Sequence, residues 1–555
     1  MSRLTKILLI SGIIILASLI IRQVFSSSFD APVYAVFQNK VSLSRTLDIS
    51  GLKCKLLNVI GKVGDKCQSP RPTTGNGSSV DSVNNEPTQG YPVSNSFPAQ
   101  RKVNTGNLVI YQVWLNYYAQ NSQNQQPSSN VFVNAANHLP KLADMGITTI
   151  QLSPVHPFGR LTTIGSPYGI KDFYDVNPGY AGFTNPKDDA GTRDARISAL
   201  KNYIDTAHGL GLQVIMDCVY HSTDPNNVLV NSHPDFYLRK GGQIVKNRYG
   251  FSVLDYSNPQ VQNYMMEMTK YWAKTVGIDG CRSDVAIDVP LSFWASLNNE
   301  LKKMKPAWLM VAETSSKLEE YGSPYTGAGS NGEKYQSVYG FDALYGVTYM
   351  QALRAVINNR REANVIQLAW ERPEQGKGKP LPDLNLYRAI DNHDQHPRAA
   401  ALSGRNKAML AAMAINFTLD GLPFIFNGQE IGDLNPTSIA NQRYISWSRP
   451  PHPENTSIYK QLISLRKSHP ALNSGTTIWY SSNNPSQVIS YLRSTDKEKI
   501  IVVVNLSETS WSGTVMGDKL LGTVTDLLSS RFYTAQKGSL SLTLEPYSYL
   551  IASVK

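Results

Sequence analysis

An arginine and an aspartate stand inside a segment that otherwise has the composition of a buried strand. Residues 277–290 read GIDGCRSDVAIDVP, and Arg282 and Asp284 are two positions apart in it. Side chains at positions i and i+2 of a strand point to the same side, so these two are expected to face each other. A cation beside a carboxyl group favours its ionised form. We therefore expect Arg282 to keep Asp284 charged and oriented, as a carboxylate that takes part in chemistry must be.

Three more acids lie at the ends of other strand-like runs. Asp217 lies in LQVIMDCV, Glu313 lies in WLMVAETS, and Asp394 follows LYRAID together with Asn392 and His393. Singly, each could be a helix cap or a loop anchor. Burying several acids together is costly unless they have a task or a cation, so the set indicates a functional cluster.

The chemistry that suits such a cluster is glycoside hydrolysis, in which one ionised and one protonated carboxyl flank the scissile bond. Asp284 fits the ionised role. The apolar approach to Glu313 is expected to raise its pKa, which suits an acid. Asp394 would hold substrate hydroxyls and favour the positive charge of the transition state.

These side chains must be positioned by strands that end at the same place. From about residue 107, short apolar runs alternate with amphipathic segments of helix length. Eight runs are strand-like: LVIYQVWL (108–115), ITTIQLSP (147–154), LQVIMDCV (212–219), IDGCRSD (278–284), WLMVAET (308–314), YGFDALYG (339–346), LYRAID (386–391) and LPFIFN (422–427). Eight strands alternating with helices predict an α/β fold, a (β/α)8 TIM barrel, rather than an open sheet. The carboxyl-terminal strand ends of such a barrel converge on one mouth.

The rest of the chain divides by composition. Residues 1–25 hold a basic start and an uncharged apolar run, which predict a signal peptide or a signal anchor. Residues 26–67 form a small appendage in which Cys54 and Cys67 are expected to pair. Residues 68–105, rich in Ser, Asn, Pro, Thr and Gly, predict a flexible linker. The barrel then spans 106–474, and strand-like runs between polar turns predict an antiparallel β-sandwich over 475–555.

Composition fits a folded, exported protein that meets a membrane only through its first segment. The 555 residues are 41% hydrophobic and 17% charged. The formal net charge is +11, but no run of Lys and Arg is dense enough to follow a phosphate backbone, so we expect no nucleic-acid partner. Cys218 and Cys281 lie in apolar runs and are expected to be buried free thiols.

Six ordered motifs resemble those of the alpha-amylase family, glycoside hydrolase family 13, and the resemblance covers about residues 105–550. The motifs are SPYGIKDF (166–173), GCRSDVA (280–286), VAETS (311–315), DNHDQ (391–395), GLPFIFNGQEIG (421–432) and LISLRKSHPAL (462–472). The resemblance implies that Asp284 is the nucleophile, Glu313 the general acid/base and Asp394 the transition-state stabiliser. It also implies retention of anomeric configuration through a covalent glycosyl-enzyme, with the two working carboxyls roughly 5–5.5 Å apart.

By the same resemblance, further side chains bind substrate or assist at the cleavage point. Tyr168 would stack on the sugar, and His393 would hydrogen bond to sugar hydroxyls. Arg282 would assist beside the nucleophile, and Asp217 is the acid of the family's third-strand segment. The implied partner is an oligosaccharide or polysaccharide substrate.

The third-strand segment departs from the family pattern. The family reads Asp-x-x-x-Asn-His, whereas residues 217–222 read DCVYHS, so His221 stands at the Asn position and Ser222 at the His position. His221 either binds the sugar in place of the missing histidine or only packs the loop, and both interpretations stay open. In many relatives that Asn binds calcium, and the insertion after the third strand, 222–256, is short. We therefore predict no metal ligands, no required cofactor and no obligatory calcium.

The expected function is an exported retaining glycosidase that acts on α-1,4-linked glucans such as starch, maltodextrin or glycogen. One alternative is a transglycosylase that uses the same site to transfer the glycosyl unit to a sugar. Another is a non-catalytic, membrane-anchored barrel that serves as a partner subunit, although such a scaffold has no reason to keep three acids at its mouth. Asp288, four residues after Asp284, is expected to cap the helix that follows Pro290, with an influence on substrate preference as the alternative.

Overall fold

The structure, a computed structural model, describes residues 105–118, 130–160, 165–182, 192–313, 340–371, 385–437, 439, 445 and 447–555. All of these lie in one compact unit, Gln89–Lys555. The expected signal or anchor (1–25), the appendage (26–67) with its Cys54–Cys67 pair, and the linker up to residue 104 lie outside the described residues. Within the described part, no helix is both long and apolar enough to span a bilayer.

A closed ring of eight parallel strands confirms the predicted (β/α)8 barrel. The strands are β1 (Ile110–Val113), β2 (Thr149–Leu152), β3 (Gln213–Val219), β4 (Gly280–Asp284), β5 (Leu309–Ala312), β6 (Ala343–Leu344), β7 (Tyr387–Arg388) and β8 (Leu422–Phe426). Neighbours in chain order pair from β1 to β6, β7 pairs with β8, and β8 pairs with β1. A parallel bridge between Leu344 and Leu386 closes the ring between β6 and β7. The carboxyl-terminal ends of all eight strands therefore face one mouth.

Helices between the strands, and two more after β8, pack around the barrel. They are α1 (Val131–Ala136), α2 (Leu139–Met145), α3 (Arg193–Gly209), α4 (Val228–Ser232), α5 (Pro259–Thr275), α6 (Leu291–Met304), α7 (Val347–Ile357), α8 (Val365–Glu371), α9 (Ala399–Ser403), α10 (Asn406–Thr418), α11 (Asn455–Ser468) and α12 (Pro470–Ser474). In α5, Asn258 caps the first turn by accepting from the N–H of Gln260, and Pro259 fills the first position. Its buried residues recur at helical spacing: Val261, Met265, Met268 and Trp272.

Two insertions extend from the barrel, one after β2 and one after β3. After β2, an antiparallel pair joins Phe158–Arg160 to Gly165–Ile170 and carries Tyr168. After β3, the predicted short insertion holds α4 and two small strand pairings, Ser222–Thr223 with Ser252–Val253 and Arg239–Lys240 with Gln243–Ile244.

The carboxyl-terminal segment forms the predicted antiparallel sandwich. Its strands are β9 (Thr476–Ser482), β10 (Val488–Ser494), β11 (Lys499–Asn505), β12 (Trp511–Met516), β13 (Gly522–Asp526), β14 (Phe532–Ala535), β15 (Ser539–Leu544) and β16 (Tyr549–Val554), in the order β14-β13-β16-β11-β10-β9-β12-β15. Residues of β11 alternate between two cores. Ile501 and Val503 face the interior of the sandwich, whereas Ile500, Val502 and Val504 join the core of the barrel. Both faces of this strand are therefore buried.

Candidate active site

Arg282 is the centre of an acid cluster drawn from three neighbouring strands. It lies in β4, opposite Asp217 of β3 and Val311 of β5 in the strand register, and it is fully buried. Its Nη1 atom lies 2.6 Å from Oδ1 of Asp217 and 2.8 Å from Oδ1 of Asp284, while its Nη2 atom lies 2.8 Å from Oε2 of Glu313. The structure thus brings together acids that are far apart in the chain, as predicted.

A strained turn after β4 holds Glu313 against Asp284. Val285 has a φ of 40°, in the left-handed region that β-branched residues rarely adopt. The turn aims the N–H of Val285 at Oε2 of Glu313, at 2.9 Å, while the N–H of Glu313 donates to the carbonyl of Ser283, at 3.0 Å. The position of the second acid is therefore fixed by the backbone that carries the first.

Burial dominates the proton affinity of the clustered acids. Loss of water raises the pKa values of Asp217, Asp284 and Glu313 above their ordinary values, and the Arg282 guanidinium opposes this in each case. The raised pKa expected for Glu313 is confirmed. Arg282 contacts Asp284 and lowers its pKa, as expected, but burial raises that pKa more, to about 7, so the cation does not by itself keep Asp284 charged.

The two working carboxyls are within reach of each other. One guanidinium bridges them, because Oδ1 of Asp284 lies 2.8 Å from Nη1 of Arg282 and Oε2 of Glu313 lies 2.8 Å from Nη2. The charge of Asp284 also raises the pKa of Glu313, as expected for neighbouring acids. The side chains of Asp284 and Glu313 are 10% and 21% exposed, so both open to the mouth although Arg282 does not.

A second polar group lies beside the acids. The hydroxyl of Tyr168 donates to Oδ2 of Asp217 at 3.0 Å and lies 2.6 Å from Nε2 of His393. The ring of Trp114 stacks on the His393 imidazole, with 4.5 Å between centroids and 7° between planes. Tyr168, His393 and Asp217 were each predicted at the site, and one chain of contacts joins them.

Asp394 completes the mouth from the loop after β7. Its Oδ2 atom lies 3.3 Å from Nε2 of His393, and its side chain is 39% exposed. The N–H of Asp394 donates to Oδ1 of Asn392 at 2.9 Å, which turns the loop back toward the barrel. The charge of Asp394 also raises the pKa of Glu313, so the three predicted acids share one pocket.

His221 lies at the edge of this cluster, behind the nucleophile. Its imidazole is buried, with Nδ1 at 3.8 Å from Oδ2 of Asp284. Burial lowers the pKa of His221 to about 4, with a further contribution from Arg282, so the ring is neutral near pH 7. In the described part of the chain, its Nδ1 atom has no hydrogen-bond partner. The structure places His221 next to the sugar-binding position but leaves its role a prediction.

Two of the predicted site residues, Asp217 and Arg282, lie beneath the surface of the cleft. Asp217 and Arg282 were expected to bind substrate, yet both are fully buried. The carboxylate of Asp217 contacts Arg282 through one oxygen and Tyr168 through the other. Both residues therefore reach a sugar only through the side chains that they orient.

The expectation for Asp288 is wrong. Helix α6 follows Pro290, and among the described residues it has no side-chain cap. Asp288 is instead buried, and in the described chain its Oδ1 atom has no hydrogen-bond partner. Burial raises its pKa to about 7, Arg248 opposes this, and Glu313 adds to it. The residue belongs to the acid pocket and not to the helix.

The site residue that sequence reasoning missed is Gln112. Its Nε2 atom lies 3.0 Å from Nδ1 of His393, and the side chain is fully buried. The signal was present, since Gln112 is the one polar residue in the apolar run LVIYQVWL. A polar side chain in a buried strand is informative in the same way as Arg282.

The calcium site of relatives does not fit this part of the chain. Calcium takes six to eight oxygen ligands, whereas the residue at the Asn position is His221, packed against Asp284. Within the described ranges, no group of three or more His, Cys, Asp or Glu side chains is arranged to hold a metal ion. Cys218 and Cys281 are buried free thiols, as predicted.

Comparison with known proteins agrees with this geometry. The model of the alpha-amylase catalytic domain matches residues 233–455, and that of the maltogenic amylase carboxyl-terminal domain matches residues 477–551. The match identifies an alpha-amylase catalytic domain in this chain. The chain is 24% identical over 476 residues to alpha-amylase 2 of Dictyoglomus thermophilum, across 79% of the chain and 75% of the relative. It is 23% identical over 390 residues to a cyclomaltodextrinase of a Bacillus species, across 66% of the chain and 64% of the relative.

Solved structures share the arrangement of barrel and sandwich. A maltogenic alpha-amylase from Thermotoga neapolitana superposes with a TM-score of 0.67 and 26% identity, over 81% of this chain and 99% of that chain. An alpha-amylase from Lactobacillus plantarum gives the same TM-score with 24% identity, over 81% and 100%. The chain spans just under two thirds of the Bacillus cyclomaltodextrinase.

Proposed function

We propose that the protein is an exported retaining glycosidase that hydrolyses α-1,4-linked glucans. The observation that carries the proposal is the single guanidinium of Arg282, which holds Asp217, Asp284 and Glu313 at one barrel mouth. Two carboxyls bridged by one guanidinium, with Asp394 beside His393 at the same mouth, fit double displacement by a nucleophile and a general acid/base.

The first step is attack by Asp284 on the anomeric carbon. Its Oδ1 atom is held by Arg282, which leaves Oδ2 as the attacking oxygen. Glu313 gives its proton to the glycosidic oxygen as the bond to the leaving sugar breaks. Its Oε2 atom is held by Arg282 and by the N–H of Val285, so Oε1 carries that proton. Glu313 then takes a proton from water, which attacks the glycosyl–Asp284 ester and releases the product with its configuration retained.

A transglycosylase with the same site is the second candidate. The chain is 25% identical over 465 residues to the cyclomaltodextrin glucanotransferase of Geobacillus stearothermophilus, across 74% of the chain and 61% of that relative. Hydrolysis and transglycosylation pass through the same glycosyl-enzyme. They differ only in whether water or a sugar accepts the glycosyl unit. A non-catalytic partner subunit is disfavoured, because Asp284 and Glu313 are both kept beside Arg282 at a costly, desolvated site.

Incubating the full chain with maltoheptaose and with soluble starch tests the proposal. We expect shorter oligosaccharides whose newly formed ends are first α-anomers by NMR. A ladder of longer products would favour transfer, and first-formed β-anomers or no reaction would contradict the proposal.

We also propose that activity needs no calcium. Loss of activity when a chelator is added, reversed by added calcium, would contradict that.

Isosteric variants separate the two acids. D284N and E313Q are each expected to lower kcat on maltoheptaose by a factor of about 10²–10⁴. On α-maltosyl fluoride, whose leaving group needs no proton, E313Q is expected to keep glycosyl-enzyme formation whereas D284N is not. The control is E300Q, at a surface glutamate of α6 that pairs only with lysines in the described structure; it is expected to match the wild type.

A further inference from the structure

Gln112 contacts His393 through its amide NH₂ group, whereas its amide oxygen makes no hydrogen bond in the described chain. It lies in β1, fully buried, and its Nε2 atom is 3.0 Å from Nδ1 of His393. Its Oε1 atom is buried and, within the described chain, has no hydrogen-bond partner. A buried unpaired acceptor is destabilising, so the orientation of the amide is explained only by what its NH₂ group does for His393.

The opposite nitrogen of His393 faces two acceptors. Its Nε2 atom lies 2.6 Å from the hydroxyl oxygen of Tyr168 and 3.3 Å from Oδ2 of Asp394. The Tyr168 hydroxyl already donates its proton to Asp217 at 3.0 Å, so toward His393 that oxygen accepts. A carboxylate oxygen of Asp394 also accepts. Both contacts therefore require a proton on Nε2.

A neutral imidazole carries one proton, so a proton on Nε2 makes Nδ1 an acceptor. Burial lowers the pKa of His393 to about 4, which keeps it neutral near pH 7. The amide of Gln112 supplies the donor that Nδ1 then requires. Trp114, stacked at 4.5 Å, fixes the plane of the ring but has no bearing on which nitrogen is protonated.

We propose that Gln112 is a positioning residue that fixes His393 as the Nε2-protonated tautomer, so that an N–H and not a lone pair faces Tyr168 and Asp394 at the cleft. This deepens the proposed function and rests on it for the kinetic effect alone. The tautomer itself is a property of the folded chain.

The direct test is NMR of the full chain labelled with ¹⁵N-histidine at neutral pH. The chain has nine histidines, and the His393 signals are identified by their loss in H393Q. We expect a neutral ring protonated at Nε2 in the wild type and at Nδ1 in Gln112→Glu, whose carboxylate only accepts. A wild-type ring protonated at Nδ1, or a Gln112→Glu spectrum like that of the wild type, would overturn the proposal whether or not the protein hydrolyses glucans.

Kinetics give a second readout that a merely structural residue would not change. Gln112→Met keeps the volume and removes the donor, so kcat/KM on maltoheptaose is expected to fall about tenfold or more, mainly in kcat. For Gln112→Glu, kcat/KM relative to the wild type is expected to rise as pH falls, because protonated His393 regains an Nε2–H. The charged groups around this ring are Asp394, which raises its pKa, and Arg282 and His396, which lower it; Asp217 lies beyond Tyr168.

The matched control is Gln151→Met. Gln151 lies opposite Gln112 in the register of β1 and β2, is equally buried, and hydrogen bonds to the hydroxyls of Tyr345 and Tyr387 at 2.8 and 3.1 Å. It is expected to lose thermal stability like Gln112→Met without changing the pH dependence of kcat/KM. The proposal would be contradicted if Gln112→Met kept more than half of the wild-type kcat/KM. It would also be contradicted if kcat/KM of Gln112→Glu changed with pH in the same way as that of the wild type.

Discussion

At the scale of the residue, the mouth of the barrel holds buried polar atoms that the protein itself does not satisfy. In the described chain these include Nδ1 of His221 and Oδ1 of Asp288. Leaving such a group unpaired destabilises a fold by about 1–3 kcal/mol. Unpaired groups in a native protein call for an explanation, and a pocket that binds hydroxyl-rich substrates supplies one for those that face the cleft.

His221 gives a prediction at this scale. Its Nδ1 atom lies 3.8 Å from Oδ2 of Asp284, and the residue directly precedes the position that the family gives to a sugar-binding histidine. We expect His221→Ala to lower kcat/KM on maltoheptaose about tenfold, the effect of losing one hydrogen bond near a charged group. The control is His233→Ala, an exposed residue of the same insertion. Near-full activity with an unchanged KM would show that His221 only packs the loop.

At the scale of the element, β4 places the chemistry. It presents Arg282 and Asp284 to the barrel interior, and its last residue leads into the strained Val285. Gly280 begins the strand at a point where both neighbouring strands lie close to its backbone. A Cβ atom there would lie 2.1 Å from the carbonyl oxygen of Leu309 in β5 and 2.8 Å from Cγ2 of Ile215 in β3. The absence of a side chain lets three strands approach closely.

We therefore predict that Gly280→Ala displaces β4 and with it both active-site residues. Overpacking of this kind destabilises by about 1–3 kcal/mol, and kcat/KM is expected to fall at least tenfold because catalytic geometry tolerates little displacement. Gly209→Ala, at the end of α3 where an added Cβ meets nothing within 4 Å, is the control. Circular dichroism melts and assays of both variants check this; equal activities would contradict it.

At the scale of the whole molecule, barrel and sandwich share their core. Residues from β10 and β11 pack into the barrel core, among them Tyr491, whose hydroxyl contacts that of Thr418 in α10. Arg466 of α11 donates to the carbonyls of Phe417, Leu419 and Gly421, and Arg493 of β10 donates to those of Ala471 and Leu472. An interface with buried apolar surface and arginines that donate across it to backbone carbonyls is that of one cooperative body.

The corresponding prediction concerns unfolding. We expect calorimetry of the full chain to show one transition for barrel and sandwich together. Tyr491→Ala is expected to destabilise that transition by about 3–5 kcal/mol, as for other large aromatic truncations in a core. Leu540→Ala, in the outer core of the sandwich, is expected to lower the same transition. Two separate transitions, with only one moved by each variant, would contradict a shared core.

The sequence by itself determined the class of fold and the acids at the site. Strand-like runs at regular spacing specified the barrel, because periodicity is a local property of the chain. Arg282, Asp284 and Glu313 were recognisable because charge in a buried strand is costly and so carries information. The two-residue β6 and β7 show the limit, since their register and the closure at Leu344 and Leu386 depend on neighbouring strands.

Only the tertiary structure decided what each side chain does with its neighbours. It showed that burial outweighs Arg282 in setting the pKa of Asp284, that Asp288 faces the acid pocket, and that Gln112 reaches His393 across 281 positions of the chain. Desolvation and hydrogen bonding depend on every group that surrounds an atom. The spacing of residues along the chain does not predict desolvation or hydrogen bonding, because the surrounding groups come from different strands.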